Sequence, residues 1–190
     1  MPGPRRENFL EALASYRPED ARDADVLGRL RAFAAGPDAF LRANPTGHVT
    51  ASAVIVRSDR AAILLIRHPK LGGWLQPGGH VEPTDRSVFA AALREASEET
   101  GLLRFGTPIA EAILDLDVHE IPAFGGEAPH LHFDVRHLLI AEAGERPVPA
   151  ASWFSYSEIP SLDRDGSLAR ATRKAQERLA GTAEQMPCSN

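Results

Sequence analysis

The chain has 190 residues, of which 26 are acidic and 21 are Lys or Arg, giving a formal net charge of −5. This length suits one domain of moderate size with an appendage, and the acidic balance argues against a nucleic-acid polymer as partner, because such a surface needs a basic face. The single cysteine, Cys188, excludes an intrachain disulfide, and no apolar run resembles a membrane span or a signal peptide, so we expect a cytoplasmic protein with no membrane contact.

Residues 1–46 have the pattern of a helical extension in two parts. Apolar residues recur at helical spacing in the first part, and those of the second part share one face after Pro18, which can open a helix. They are Phe9, Leu10, Leu13 and Tyr16 in the first part and Val26, Leu27, Leu30 and Ala34 in the second. The extension has no catalytic constellation, so we expect a packing cover; a lid and the surface of a homodimer are the alternatives.

From His48 the pattern changes to that of strands. Residues 48–57 and 61–67 are rich in β-branched and apolar side chains on either side of a polar turn, which predicts a hairpin. The other predicted elements are a helix at about 85–100, strands at about 109–119, 130–142 and 148–154, and a C-terminal helix at 167–180. Strands with helices before, between and after them predict an α/β/α sandwich with a mixed sheet. We place this α/β domain at residues 47–182 and a disordered tail at 183–190.

The most informative segment is a Pro-Gly-Gly turn at residues 77–79 and the helix that follows it. In this helix Glu95, Glu98 and Glu99 fall at positions i, i+3 and i+4 and share one face. Like charges at this spacing repel one another, and a hard divalent cation such as Mg²⁺ removes that penalty because it takes carboxylate and phosphate oxygens as ligands. The glycines allow the backbone to approach a ligand closely. The segment therefore favours a metal site over a solvated acidic face.

At these residues the chain resembles the Nudix hydrolase family, whose signature places a glycine and a Glu before the pattern Arg-Glu, aliphatic, any, Glu-Glu, any, Gly, aliphatic. The matching residues are Gly79, Arg94, Glu95, Ala96, Glu98, Glu99, Gly101 and Leu102. We call Glu95, Glu98 and Glu99 the box carboxylates. The first acid of the signature is here Asp85, with eight residues rather than seven between it and Arg94. Asp85 either caps the helix, as Thr84 also could, or supports Arg94 as the family's acid does.

The resemblance implies a Nudix-type sandwich fold and a pyrophosphohydrolase that depends on Mg²⁺ or Mn²⁺. It implies that the box carboxylates and the Gly78 carbonyl bind the ion, and that Arg94 orients Glu95. It also implies a general base, which is either a box carboxylate or an acid on a later loop. The candidates in that region are Glu120 and Glu127, together with His119 and His130.

A second polar pattern lies on two of the predicted strands. The polar side chains that alternate with apolar ones are Asp115, Asp117 and His119 on the first strand and His130, His132, Asp134 and Arg136 on the second. A glycine-containing turn between the strands predicts an antiparallel pair with the polar rows side by side. The rows form either an outer sheet face or a pocket wall, near the box carboxylates, that binds substrate or a second metal. The substrate-binding candidates are Arg67, His80, Asp117, His119, His130, His132 and Asp134.

These features predict hydrolysis of a phosphoanhydride in a nucleoside diphosphate linked to another moiety, a small-molecule substrate. A nucleoside triphosphate pyrophosphohydrolase is the alternative within the same class. An isoprenyl diphosphate isomerase is less favoured, because the catalytic cysteine of that group has no counterpart in the core here. A non-catalytic regulator that binds a nucleotide sugar is also less favoured, because such a module would be expected to lose box carboxylates and this chain keeps all of them.

Overall fold

The computed structural model describes residues 4–67, 72–108, 111–123, 126 and 128–184. The helices of this part of the chain are α1 (Pro4–Ser15), α2 (Ala21–Ala34), α3 (Val88–Thr100), α4 (Ile159–Leu162) and α5 (Ser167–Glu184). Its strands are β1 (Gly47–Val56), β2 (Ala62–Arg67), β3 (Trp74–Leu75), β4 (Gly78–His80), β5 (Phe105–Gly106), β6 (Ile113–Ile121), β7 (His130–Ala141) and β8 (Ala151–Ser155). None of these helices is long and apolar enough to cross a membrane.

The strands form one mixed sheet around β1. This strand runs parallel to β7 along its whole length, from Gly47 opposite Leu131 to Val56 opposite Ile140. On its other side β1 pairs antiparallel with β4 at its middle and with β2 near its end. The sheet continues from β2 to β3 and β8, and from β7 to β5 and β6. The predicted hairpin, the predicted antiparallel β6–β7 pair and the mixed sheet are confirmed.

Alternate residues of β1 face two different cores. Ala53 and Ile55 pack with residues of α3 on one face of the sheet, whereas Val54 and Val56 pack with α4 and α5 on the other face. Because both faces are covered, β1 is buried at every position, as expected for a strand with a continuous apolar sequence. The α/β/α sandwich predicted from the element order is therefore confirmed.

The helices α1 and α2 pack over the first half of β1 and the neighbouring part of β7. Their apolar faces join a third core that includes Val49 and Val81. Phe33 of α2 stacks on Phe133 of β7, with ring centroids 3.8 Å apart and an interplanar angle of 5°. The buried residues of the extension include Phe9, Leu13, Tyr16, Val26, Leu27, Leu30 and Ala34, whose spacing predicted the two helices.

Several boundaries differ from the predicted ones for local reasons. The helix α3 begins at Val88 rather than at Asp85, because the hydroxyl of Ser87 accepts a hydrogen bond from the Ala90 amide and caps it. Asp20, rather than Pro18, opens α2. The elements β5 and α4 are too short to produce a periodic pattern. Residues 109–110 of a predicted strand and 185–190 of the predicted tail lie outside the described residues, and α5 continues to Glu184.

Candidate active site

Two box carboxylates lie against the glycines of β4. Oε2 of Glu99 accepts a hydrogen bond of 2.9 Å from the Gly78 amide. A β-carbon at Gly79 would lie 2.5 Å from Oε1 of Glu95, so a larger residue would displace that carboxylate. The opposite face of α3 is buried in the core, which holds the helix in this orientation. The turn and the helix therefore form one compact acidic site.

Arg94 connects the box carboxylates to the turn before α3. Its guanidinium donates hydrogen bonds to both oxygens of the Asp85 carboxylate, at 3.2 and 2.9 Å. The same guanidinium donates to Oε1 of Glu95 at 2.9 Å and to Oε2 of Glu98 at 3.2 Å. It also donates to the main-chain carbonyl of His80 at 2.9 Å. One side chain thus holds two carboxylates of α3 and the end of β4 in a common arrangement.

Asp85 is the partner of Arg94, so the alternative in which it caps α3 is wrong. Its Oδ2 also accepts a hydrogen bond of 2.8 Å from the Glu82 amide, which closes the turn in front of the helix. Burial alone would raise the pKa of Asp85, but the hydrogen bonds from Arg94 and Glu82 outweigh it and hold this pKa below its usual value. The carboxylate therefore stays charged beside the guanidinium.

Burial perturbs the pKa values of Glu95 and Glu99. It raises the pKa of Glu95 above its usual value, although the Arg94 guanidinium opposes this. It also raises the pKa of Glu99, against the hydrogen bond from Gly78, and the neighbouring carboxylates add to the effect. The Glu98 side chain is 59% exposed. Such a set of hard oxygen donors, partly removed from water, fits Mg²⁺ or Mn²⁺.

The two polar rows lie side by side on β6 and β7, where Asp117 faces Asp134 and His119 faces His132. The aspartates of the rows and Arg136 are covered by protein. The residues Asp115, Asp117, Asp134 and Arg136 are each 5% exposed or less. Arg136 donates to all three aspartates and to the hydroxyl of Ser167 at the start of α5. The aspartates therefore lie on the sheet face away from α3, and they do not form a solvent-exposed outer face.

The aspartates of the rows belong to a buried ion network that joins α2, the sheet and α5. Its carboxylates are Asp23, Asp115, Asp117 and Asp134, and its cations are Arg22, Arg136, Arg170 and Lys174. Burial raises the pKa of Asp117, but His119, Arg136 and Arg170 outweigh burial and hold it well below its usual range. Asp117 and Asp134 are thus engaged by protein groups, and a substrate contact for these two residues stays a prediction.

Five of the six histidines among the described residues meet on the same sheet face as Asp134, in an arrangement that we call the histidine cluster. Its members are His48, His80, His119, His130 and His132, on β1, β4, β6 and β7. The His48 ring lies 4.7 Å from His80, 5.2 Å from His130 and 4.8 Å from His132, measured between centroids. The His119 and His132 rings are 5.6 Å apart. Sequence reasoning missed His48, because only the parallel pairing of β1 with β7 brings it beside His132.

Charge is distributed unevenly over the histidine cluster. Burial lowers the pKa of His132 to about 3, and the four surrounding imidazoles add to this. Burial also lowers the pKa of His119, but the hydrogen bond to Asp117 and the charges of Asp134 and Asp117 outweigh it and raise this pKa above its usual value. A proton entering the cluster would therefore go to His119 before His132.

The remaining predicted site residues are scattered. Arg67 is exposed at the end of β2, where it pairs with Trp74 of β3. Glu120 is exposed on β6 rather than on a loop, and it points to the opposite sheet face from His119. Glu127 lies outside the described residues. The predictions of a substrate contact for Arg67 and of a general base at Glu120 or Glu127 stay predictions.

A family model for the NUDIX domain matches residues 46–175. The chain belongs to the Nudix family. It is a Nudix-type pyrophosphohydrolase, and this family cleaves pyrophosphate bonds of nucleoside diphosphate derivatives with the help of divalent metal ions.

Individual relatives agree with this assignment. Among curated proteins, the chain is similar to an uncharacterised Nudix hydrolase, NudL, of Enterobacter sp. (strain 638), with 28% identity over 171 residues that cover 84% of this chain and 78% of that protein. Among solved structures, it is similar to a C. elegans Ap4A hydrolase, with a TM-score of 0.53, 21% identity and coverage of 69% and 97% of the two chains. A binary complex of a C. elegans Ap4A hydrolase matches with a TM-score of 0.50, 21% identity and coverage of 70% and 98%. At this identity the structural likeness shows the fold.

Proposed function

We propose that this Nudix hydrolase cleaves a phosphoanhydride bond in a nucleoside diphosphate linked to another moiety, and that it uses Mg²⁺ or Mn²⁺. The supporting observation is the convergence of Glu95 and Glu99 on the glycine pair of β4, with Arg94 holding Glu95 and Glu98. A site of this kind offers several oxygen ligands at a place where a glycine turn lets a phosphate group come close to the main chain.

Each residue has a distinct part in this proposal. The box carboxylates and the Gly78 carbonyl would hold the ion, which when bound neutralises charge on phosphate oxygens and lowers the pKa of an attacking water. Arg94 is a positioning residue, because its contacts go to Glu95, Glu98, Asp85 and the His80 carbonyl. Burial outweighs the Arg94 guanidinium at Glu95 and the Gly78 amide at Glu99, so the pKa of each carboxyl is raised, and a bound divalent ion would favour the charged forms.

A screen of small-molecule substrates tests the reaction. Release of phosphate or nucleotide would be measured from nucleoside diphosphate sugars, CDP-alcohols, dinucleotides and nucleoside triphosphates, each with Mg²⁺ and with Mn²⁺. We expect turnover that requires the metal and that favours a diphosphate linked to another moiety. Preferential cleavage of nucleoside triphosphates would replace the proposed substrate class and keep the reaction type.

Charge-neutralising variants test the site. Glu98→Gln and Glu99→Gln should each lower turnover by about 100-fold or more, because each removes an oxygen ligand of the ion. Both should keep or slightly raise thermal stability, since removing one like charge relieves repulsion of about a few tenths of a kcal/mol per pair in the metal-free state. Glu177→Gln is the matched control, because Glu177 is an exposed glutamate on another helix, α5. Near-normal turnover in both box variants would refute the assignment.

A further inference from the structure

We propose that His48, His130 and His132 form a second metal site, which binds a divalent transition-metal ion of the Zn²⁺ type. One nitrogen from each ring can be chosen so that all three lie within 4.8 Å of one another. In tetrahedral coordination, nitrogens about 2.0–2.1 Å from Zn²⁺ lie about 3.4 Å apart. Side-chain rotations that displace each ring nitrogen by roughly an ångström therefore bring the three rings into position. Three ligands leave the fourth position open to water or to a substrate oxygen.

The chemistry of the donors separates this site from the box carboxylates. Its ligands are imidazoles, which suit Zn²⁺, Cu²⁺, Ni²⁺ and Co²⁺, whereas Mg²⁺ prefers the oxygens that the box carboxylates offer. The three histidines lie on the sheet face away from α3, because they alternate along β1 and β7 with residues such as Val49 and Phe133, which face α1, α2 and α3. The protein therefore has two donor sets of different hardness on opposite faces of one sheet.

The scaffold under the three histidines is rigid. His48 and His132 are direct neighbours on the paired strands β1 and β7, and His130 lies two residues before His132 on the same face. The ring nitrogen Nδ1 of His130 lies 2.9 Å from the carbonyl oxygen of Ala128. A hydrogen bond from Nδ1 to that carbonyl leaves the lone pair on Nε2 for a metal, and metal-binding histidines commonly have such a backbone partner. The ligands are thus placed by strands and one of them is oriented by its backbone contact.

A cobalt titration of the untagged full-length protein tests the site. After treatment with a chelator and its removal, Co²⁺ would be added and the visible ligand-field absorption recorded. We expect one equivalent to bind with the intense bands of a nitrogen-ligated, four-coordinate ion, and Zn²⁺ to displace it. His130→Gln and His132→Gln should each weaken Co²⁺ binding at least about ten-fold, since each removes one ligand. Both residues are half-buried, but His130 is the first residue of β7, so its variant decides the question even if His132→Gln folds poorly.

Two controls distinguish this site from its neighbours. Glu98→Gln should keep the cobalt bands, because it alters only the box carboxylates. His119→Gln should keep them as well, because Nδ1 of His119 already lies 3.2 Å from Asp117 and the residue is outside the ligand set. The proposal is overturned if the wild type shows no such bands, if the bands survive in both ligand variants, or if Glu98→Gln abolishes them. The readout is absorption rather than turnover, so it is independent of the proposed hydrolysis.

Discussion

At the scale of single residues, Asp85 contacts Arg94 although it differs from the acid of the family signature in both type and spacing. The residue is an Asp in place of a Glu and lies one residue further from Arg94 than the signature prescribes. Because α3 starts only at Val88, Asp85 is in a turn and not on the helix, and a turn can bring the shorter side chain to the guanidinium. Its two hydrogen bonds to Arg94 keep the guanidinium in place, and the same guanidinium donates to Glu95.

Arg94→Lys tests this positioning. A Lys can replace one contact of the guanidinium but not its fork of donors to Asp85, Glu95 and the His80 carbonyl. We expect kcat to fall at least about ten-fold with little change in KM, and stability to fall by about 1–3 kcal/mol because partly buried acceptors lose their donors. Steady-state kinetics and urea unfolding measure the two effects.

The control for this variant is Arg86→Lys, since Arg86 is an exposed arginine in the same segment. It should leave kcat unchanged, and it should change the free energy of unfolding by no more than about 0.5 kcal/mol. If the Arg94 and Arg86 variants behaved alike, the contacts of Arg94 would have no part in organising the site.

At the scale of elements, buried charges attach the N-terminal helices to the far side of the domain. Lys174 of α5 donates to Asp23 of α2 at 2.7 Å and to the Tyr16 hydroxyl at 2.8 Å. It also pairs with Asp115 of β6 at 2.8 Å. Breaking such a pair on one side is costly because it leaves the other charge buried without compensation. We therefore propose that the extension is part of the folded core.

Deletion of residues 1–45 tests this role. The truncated protein should be less stable or less soluble than the full chain, because it exposes apolar surface such as Phe133 and removes two partners of Lys174. Whatever folded protein remains should keep the chemistry, since the box carboxylates are untouched. Thermal melting, solubility and specific activity per folded molecule give the comparison.

A full-length Asp23→Asn variant serves as the control for that deletion, because it weakens the ion contacts while keeping the apolar cover. It should lose part of the stability that the truncated protein loses. A truncated protein that is soluble and fully stable, but has lost substrate affinity, would show instead that the extension is a lid.

At the scale of the whole molecule, we expect the protein to lose stability in mild acid because of the buried side chain of His137. Burial lowers its pKa to about 4 from the usual 6.5, and its Nε2 is buried with no hydrogen-bond partner among the described residues. Between these two values the unfolded chain binds a proton that the folded protein does not, so the free energy of unfolding falls as the pH decreases from 6.5 to 4. This one residue should lower the free energy of unfolding by about 2.5 kcal/mol when the pH falls from 7.5 to 4.5.

His137→Gln isolates this contribution, because Gln cannot titrate and can still donate a hydrogen bond to the Ala112 carbonyl, which lies 3.0 Å from Nδ1 of His137. Urea unfolding at both pH values, with a chelator present to remove metal ions, should show a smaller loss for the variant than for the wild type. Parallel pH profiles for the two proteins would show that His137 is not the group responsible.

The sequence by itself determined the local features of this protein. The acidic face of α3 and the glycine pair before it arise from spacing within a few residues, so periodicity was enough to predict the cluster of carboxylates that we propose as the metal site. The alternation along β6 and β7 likewise predicted an antiparallel pair with adjacent polar rows, because the side-chain period of a strand is a local property.

Only the tertiary structure decided what the polar rows do. Asp134 accepts hydrogen bonds from Thr50 and Ser52, which lie 84 and 82 positions earlier in the chain, and α5 covers the same face. The parallel pairing of β1 with β7 likewise places His48 beside His132. Such contacts depend on strand order and on which helix packs on which face. Local propensity and spacing carry no information about either. They therefore could not show that the two polar rows divide into a buried ion network and a cluster of histidines.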